Sequence, residues 1–144
     1  MPYRYEEEKS VTDLCFTAEG EDLEEVFRSS WEAAAQATGE YLETVEAKQK
    51  REIELEEEDL EFLLYDFLGE FIYYKDAEGL LLLVQAITVT EHGTRWRLHA
   101  EAYGEELDPH KHGSGVDIKA VTLHEFSLCK DPNGIWRARV LMDI

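Results

Sequence analysis

The segment "LEFLLYDFLGEFIYY" sets Leu60, Leu63, Leu64, Phe67, Leu68, Phe71 and Ile72 three and four positions apart without a break. That is the period of one face of an α-helix, and a helix face this apolar has to be buried against another layer. Asp59 stands where a capping side chain belongs. Gly69, inside the segment, costs about 1 kcal/mol of helix propensity, which seven apolar anchors outweigh. Between Asp22 and Thr38 a second amphipathic helix is marked by Leu23, Val26, Phe27, Trp31, Ala34 and Ala37 or Thr38, with Glu21, Asp22, Glu24 and Glu25 crowding its first turn and Gly39 at its end.

The rest of the chain has the texture of β-structure. From Val11 to Glu19, Leu14, Phe16 and Ala18 alternate with Asp13, Cys15 and Thr17, which puts Asp13 on the side away from the core. Ile53 and Leu55 lie between charges at period two, a short strand leading into the long helix. "LLLLVQAITVT" and "RWRLHAEAY" flank "EHG" as a hairpin, and "GEELDPHKHGSG" is a loop by composition. "VDIKAVTLHEFSLCK" reads as one long or two short strands. In "IWRARVLMDI", Trp136, Ala138, Val140, Met142 and Ile144 share one face, leaving Arg137, Arg139, Leu141 and Asp143 on the other. Strand, helix, strand, helix and then a run of strands predicts an α+β fold: a two-layer sandwich of a mixed or antiparallel sheet with two helices on one face.

A length of 144 residues favours a single domain, residues 1–144, that buries roughly 68 to 70% of the surface its unfolded chain exposes. With 33 acidic residues against 14 basic ones, the formal charge is −19. That balance argues against tight, sequence-independent binding to nucleic acid, because cations supply most of such affinity. A basic protein partner or a metal ion is easier to accommodate. Cys15 and Cys129 form no C-x-x-C pair, the beginning of the chain lacks a signal-peptide pattern, and no stretch reaches 18 apolar residues. A soluble, cytoplasmic protein is expected.

Few residues carry chemistry of their own. His110 and His112 are two apart in "DPHKH"; in extended backbone they face the same way and can chelate zinc, with His124 as a third ligand if folding brings it near. That constellation allows a small metal-dependent hydrolase, and equally a solvated loop. No nucleophile elbow and no glycine-rich phosphate loop is present. The acidic run from Glu52 to Glu61 reads as a solvated surface and helix start. Lys119 is the only base in "GVDIKAVTLH". Asp13 and Asp143 are single acids on the non-core side of the first and last strands, and each reads as an ordinary exposed acid unless those strands are neighbours. As neighbours, the two carboxylates and the terminal one of Ile144 would offer hard oxygen donors to Ca²⁺ or Mg²⁺, with water or a partner completing the shell.

Three segments together carry a resemblance. "LEFLLYDFLGEFIYYKDAEGL", "GEELDPHKHGSGVDIKAVTLHEF" with its G-E-x-x-D-x-x-x-H and V-K-A-x-T-x-H-like signatures, and Trp136 followed by "VLMDI" are similar to the archease family along nearly the whole chain. The resemblance implies a non-enzymatic accessory protein to the GTP-dependent, RtcB-type tRNA-splicing RNA ligase, one that promotes guanylylation and multiple turnover. It further implies a bound metal ion, calcium or another divalent cation such as magnesium. By position its ligands would be Asp13, Asp143 and Ile144, the last through main-chain and terminal oxygens, and Lys119 would act in activation of the partner. One departure stands out: where the family reads D-H-T-A-D, this chain has Lys9-Ser-Val-Thr-Asp13, so Ser10 replaces the histidine and the aspartate stays.

Overall fold

The structure, a computed structural model, describes residues 2–6 and 12–144. Lys9, Ser10 and Val11, which bear on the expected start of the first long strand and on the departure from the family pattern, lie outside the described residues. Along the chain the elements are β1 (Tyr3–Tyr5), β2 (Asp13–Gly20), α1 (Leu23–Thr38), β3 (Gln49–Glu57), α2 (Leu60–Glu78), β4 (Leu80–His92), β5 (Arg95–Glu106), α3 (Pro109–His112), β6 (Ala120–Lys130) and β7 (Trp136–Asp143).

Both long helices begin where a side chain can satisfy backbone donors left open by the first turn. Asp22 accepts the Glu25 N–H at 2.8 Å, and Asp59 accepts the Glu61 N–H at the same distance. Helix α2 runs as far as Glu78 and stops on Gly79, whose φ of 66° is left-handed backbone that a side chain would strain. The α+β class is as expected, and every strand pairing is antiparallel. The strands divide into two sheets, a four-stranded one in the order β1-β2-β7-β6 and a three-stranded one in the order β3-β5-β4.

The helices hold the two sheets together. α1 packs on β2 and β7 of one sheet and on β4 of the other, and α2 on β6 of one and on β3, β4 and β5 of the other. Trp31 is the centre of this arrangement. It is fully buried, its ring lies 4.8 Å from that of Phe67 and 5.3 Å from that of Phe71, and its Nε1 donates to the Leu82 carbonyl at 2.7 Å. One side chain on α1 thereby touches α2 and the backbone of β4. Ala33, Ala34 and Ala35 are also fully buried, and such small side chains let neighbouring elements approach α1 closely on more than one side.

Besides a single 3-10 turn at Leu42–Thr44, two elements lie outside the expected set. β1 has only three residues and pairs with β2, Tyr3 opposite Ala18. The stretch expected to be a loop contains α3, opened by Asp108, which accepts the His110 N–H at 3.0 Å, and by Pro109 in the first turn, where its missing N–H is harmless.

Candidate functional site

Strands β2 and β7 are neighbours, and their register sets Asp13 directly opposite Asp143. The Ile144 N–H donates to the Thr12 carbonyl at 2.9 Å. In an antiparallel ladder, hydrogen-bonded and non-hydrogen-bonded pairs alternate, so the Asp13 and Asp143 pair is of the second kind, in which side chains approach more closely. Phe16, Ala18, Ala138, Val140 and Met142 fill the opposite, core-facing side and are fully buried. On the outer side, the next pair along, Cys15 and Leu141, is buried, whereas Asp13 is half-buried and Asp143 exposed.

Lys119 arrives at the same corner from β7's other neighbour. Ala120, the first residue of β6, is the register partner of Asp143, and the Lys119 N–H donates to the Asp143 carbonyl at 2.8 Å. The Lys119 side chain is exposed. Three residues from distant parts of the sequence are thus joined by backbone pairing across three strands. Carboxylate oxygens and main-chain carbonyls are hard donors that suit calcium or magnesium, and a cation between two facing carboxylates offsets their repulsion. Among the described residues no three His, Cys, Asp or Glu side chains converge as a metal cluster. A cation at this corner therefore needs main-chain, water or partner oxygens beyond Asp13 and Asp143.

Further along the same outer face lie arginine–carboxylate pairs. Arg139 forks onto Glu6, with Nε at 2.9 Å and Nη2 at 3.1 Å, and also approaches Glu125 at 3.3 Å. The Arg139 hydrogen bonds, followed by that from Cys15, hold the Glu6 carboxyl down at about 2. Arg137 bridges Glu19 at 3.1 Å and Asp131 at 2.6 Å.

The histidines are arranged differently from the expectation. His110 and His112 lie on α3 rather than in extended backbone, so residues two apart diverge instead of sharing a face. His112 is fully buried. The Asp108 N–H donates to its Nδ1 at 3.0 Å, which leaves the proton on Nε2, and Nε2 donates to Glu105 at 3.0 Å. Both ring nitrogens are engaged, so His112 has no lone pair left for zinc. His110 and His124 are exposed, and the three histidines form no metal cluster among the described residues.

Glu105 is a hub that spacing alone did not single out. Buried on β5, it accepts from Lys111 at 2.8 Å, from His112 and from the Glu46 N–H at 2.9 Å, with Lys48 at 3.4 Å. Those donors, Lys111 and then His112 foremost, hold its carboxyl far below the usual range. The signature G-E-x-x-D-x-x-x-H contains Glu105, Asp108 and His112 at this spacing, but only folding shows that the three close on one another.

Fold and site define a class: a small acidic α+β domain, two antiparallel sheets gathered on two helices, with a carboxylate pair where the first and last long strands meet. A model of the Archease protein family matches residues 3–144, and the chain belongs to that family. It is 38% identical over 144 residues to a Pyrococcus abyssi protein named Protein archease, covering 98% of this chain and 99% of that one. A Thermococcus gammatolerans protein of the same name is 36% identical over the same shares. The solution structure of Methanobacterium thermoautotrophicum protein 1598 superposes with a TM-score of 0.84 at 31% identity, covering 99% of each chain.

Proposed function

We propose that this protein is a metal-binding, non-enzymatic activator of a GTP-dependent, RtcB-type tRNA-splicing RNA ligase, and that residues 1–144 act as one domain in the cytoplasm. The observation that carries the reading is the register of Asp13 with Asp143, with Lys119 bonded to Asp143 from the other side, in a chain of the archease family. Asp13, Asp143 and the main-chain oxygen of Ile144 would hold calcium, or magnesium in its place, and Lys119 would meet the ligase. The ion, when bound, supplies a positive centre on an acidic surface, and that centre helps organise nucleotide and metal for guanylylation of the ligase.

With a formal charge of −19, the protein approaches a basic cleft of its partner with electrostatic steering in its favour. The same charge keeps direct, tight RNA binding out of the reading. No helix among the described residues is long and apolar enough to cross a membrane. Multiple-turnover ligation with the ligase of the same organism tests the proposal: Asp143→Ala should lose stimulation, and stimulation equal to wild type would remove the metal site from the mechanism.

A further inference from the structure

Residues 113–119 form neither helix nor strand, yet they deliver Lys119 to Asp143. What fixes them begins at the end of α1. The Gly115 N–H donates to Thr38 at 3.2 Å and the Val116 N–H to Ala37 at 2.8 Å. A Cβ at Gly115 would lie 2.0 Å from the Ala37 carbonyl oxygen, so only glycine permits this approach. Between Val116 and Lys119 the sole intervening residues are Asp117 and the fully buried Ile118.

Asp117 reaches Lys75 on the last turn of α2, 2.7 Å from Nζ. The Lys75 side chain is 4% exposed and that of Asp117 72% exposed. Burying an ammonium is costly unless it is paired, but Asp76, next in the chain, already pairs with Lys75. Neutrality therefore does not require a second acid. What the second acid adds is a tie between α2 and the segment leading to Lys119. Burial pulls the Lys75 pKa down and the bonds to Asp117 and Asp76 more than reverse it, so the ammonium stays charged.

We infer that Lys75 is a positioning residue: through Asp117 it sets the backbone of residues 113–119 so that Lys119 is held at the Asp13 and Asp143 corner. Its consequence for activation rests on the role of Lys119 proposed above. Asp117→Ala is the decisive variant, since the side chain is exposed and Asp76 still neutralises Lys75.

In the full-length protein, amide hydrogen exchange should be about tenfold or more faster at the Lys119 N–H in Asp117→Ala, as for a locally released segment, with the β4–β5 hairpin unchanged. Ligase stimulation should fall with it, and Asp117→Glu, which keeps the charge, should recover most of both. Lys75→Met should reproduce the loss; if it fails to fold, Asp117→Ala still decides. Lys119 exchange unchanged in Asp117→Ala overturns the inference. Full stimulation by Asp117→Ala, with Lys119→Ala inactive, overturns the positioning role and spares the ligase reading. Full stimulation by Lys119→Ala overturns that reading itself, whatever the exchange shows.

Discussion

The two sheets are built from different parts of the chain. The three-stranded sheet comes from its middle: β4 and β5 are joined at Gly93 and Thr94, with His92 opposite Arg95. The four-stranded sheet is assembled from both ends, and the Arg137 to Glu19 bridge within it spans 118 positions. Closing so long a loop costs entropy before any contact rewards it. The corner of Asp13, Asp143 and Lys119 lies on this second sheet, at the seam. A site at such a seam exists only when the whole chain has closed, whereas the middle sheet is centred on the local β4–β5 hairpin, to which β3 adds from across α2.

The largest effect belongs to the element that joins the sheets. Trp31→Ala removes a fully buried indole touching α2 and β4 and should cost about 3–5 kcal/mol. Urea denaturation followed by tryptophan fluorescence and far-ultraviolet circular dichroism should show the two sheets lost in a single transition. If the seam melted ahead of the hairpin, the claim that the helices couple them would fall. A smaller loss, about 1–3 kcal/mol, is expected for His112→Ala, which strips Glu105 of one buried donor and leaves the Asp108 N–H unpaired. Differential scanning calorimetry of that variant gives the value directly.

Acid should act on both sheets. Glu105 lies on the hairpin sheet and Glu6 beside the seam, and both carboxyls titrate below their ordinary value of 4.5, Glu6 at about 2. A depressed folded pKa gives stability that is present above the unfolded value and is lost as pH falls toward the folded one. The Tm should therefore decline as pH is lowered from about 4.5 to about 2. Glu105→Gln and Glu6→Gln should each flatten that decline, because each removes a carboxyl that its donors hold ionised. Slopes unchanged from wild type in both variants would mean that the carboxyls responsible lie elsewhere.

How much of this is legible in the sequence follows the same division. Both helices, the cap at Asp59 and the β4–β5 hairpin are written in the local sequence, while Asp22, read there as one of the first-turn acids, is the cap of α1 only in the structure. Period two says which face of a strand is buried, but not which strand lies beside it, so the split into two sheets could not be read. β1 is too short to show a period. α3 is hidden because a single turn opened by Asp108 and Pro109 has the composition of a loop. Asp13 and Asp143 were recognisable as acids on the outer side, while their adjacency belongs to long-range closure. Lys75 continues the three-and-four spacing of α2 after Phe71 and Ile72, which puts a lysine on the buried face, but only the tertiary fold brings Asp117 to it.

The smallest stability effect should come from the seam itself. Asp143 is exposed and faces Asp13 across a non-hydrogen-bonded pair, and like charges placed directly opposite cost up to about 1 kcal/mol. Without metal, then, Asp143→Asn should be within about 1 kcal/mol of wild type and no less stable. Calcium should reverse the order. A ligand that binds only the folded state adds about 2.7 kcal/mol at a hundred times its Kd, so calcium should raise the wild-type Tm and leave that of Asp143→Asn almost unmoved. An equal rise in both would place the ion away from the seam. No rise in either would leave the two carboxylates as an ordinary acidic pair, and would separate the role of Lys119 from any role for metal.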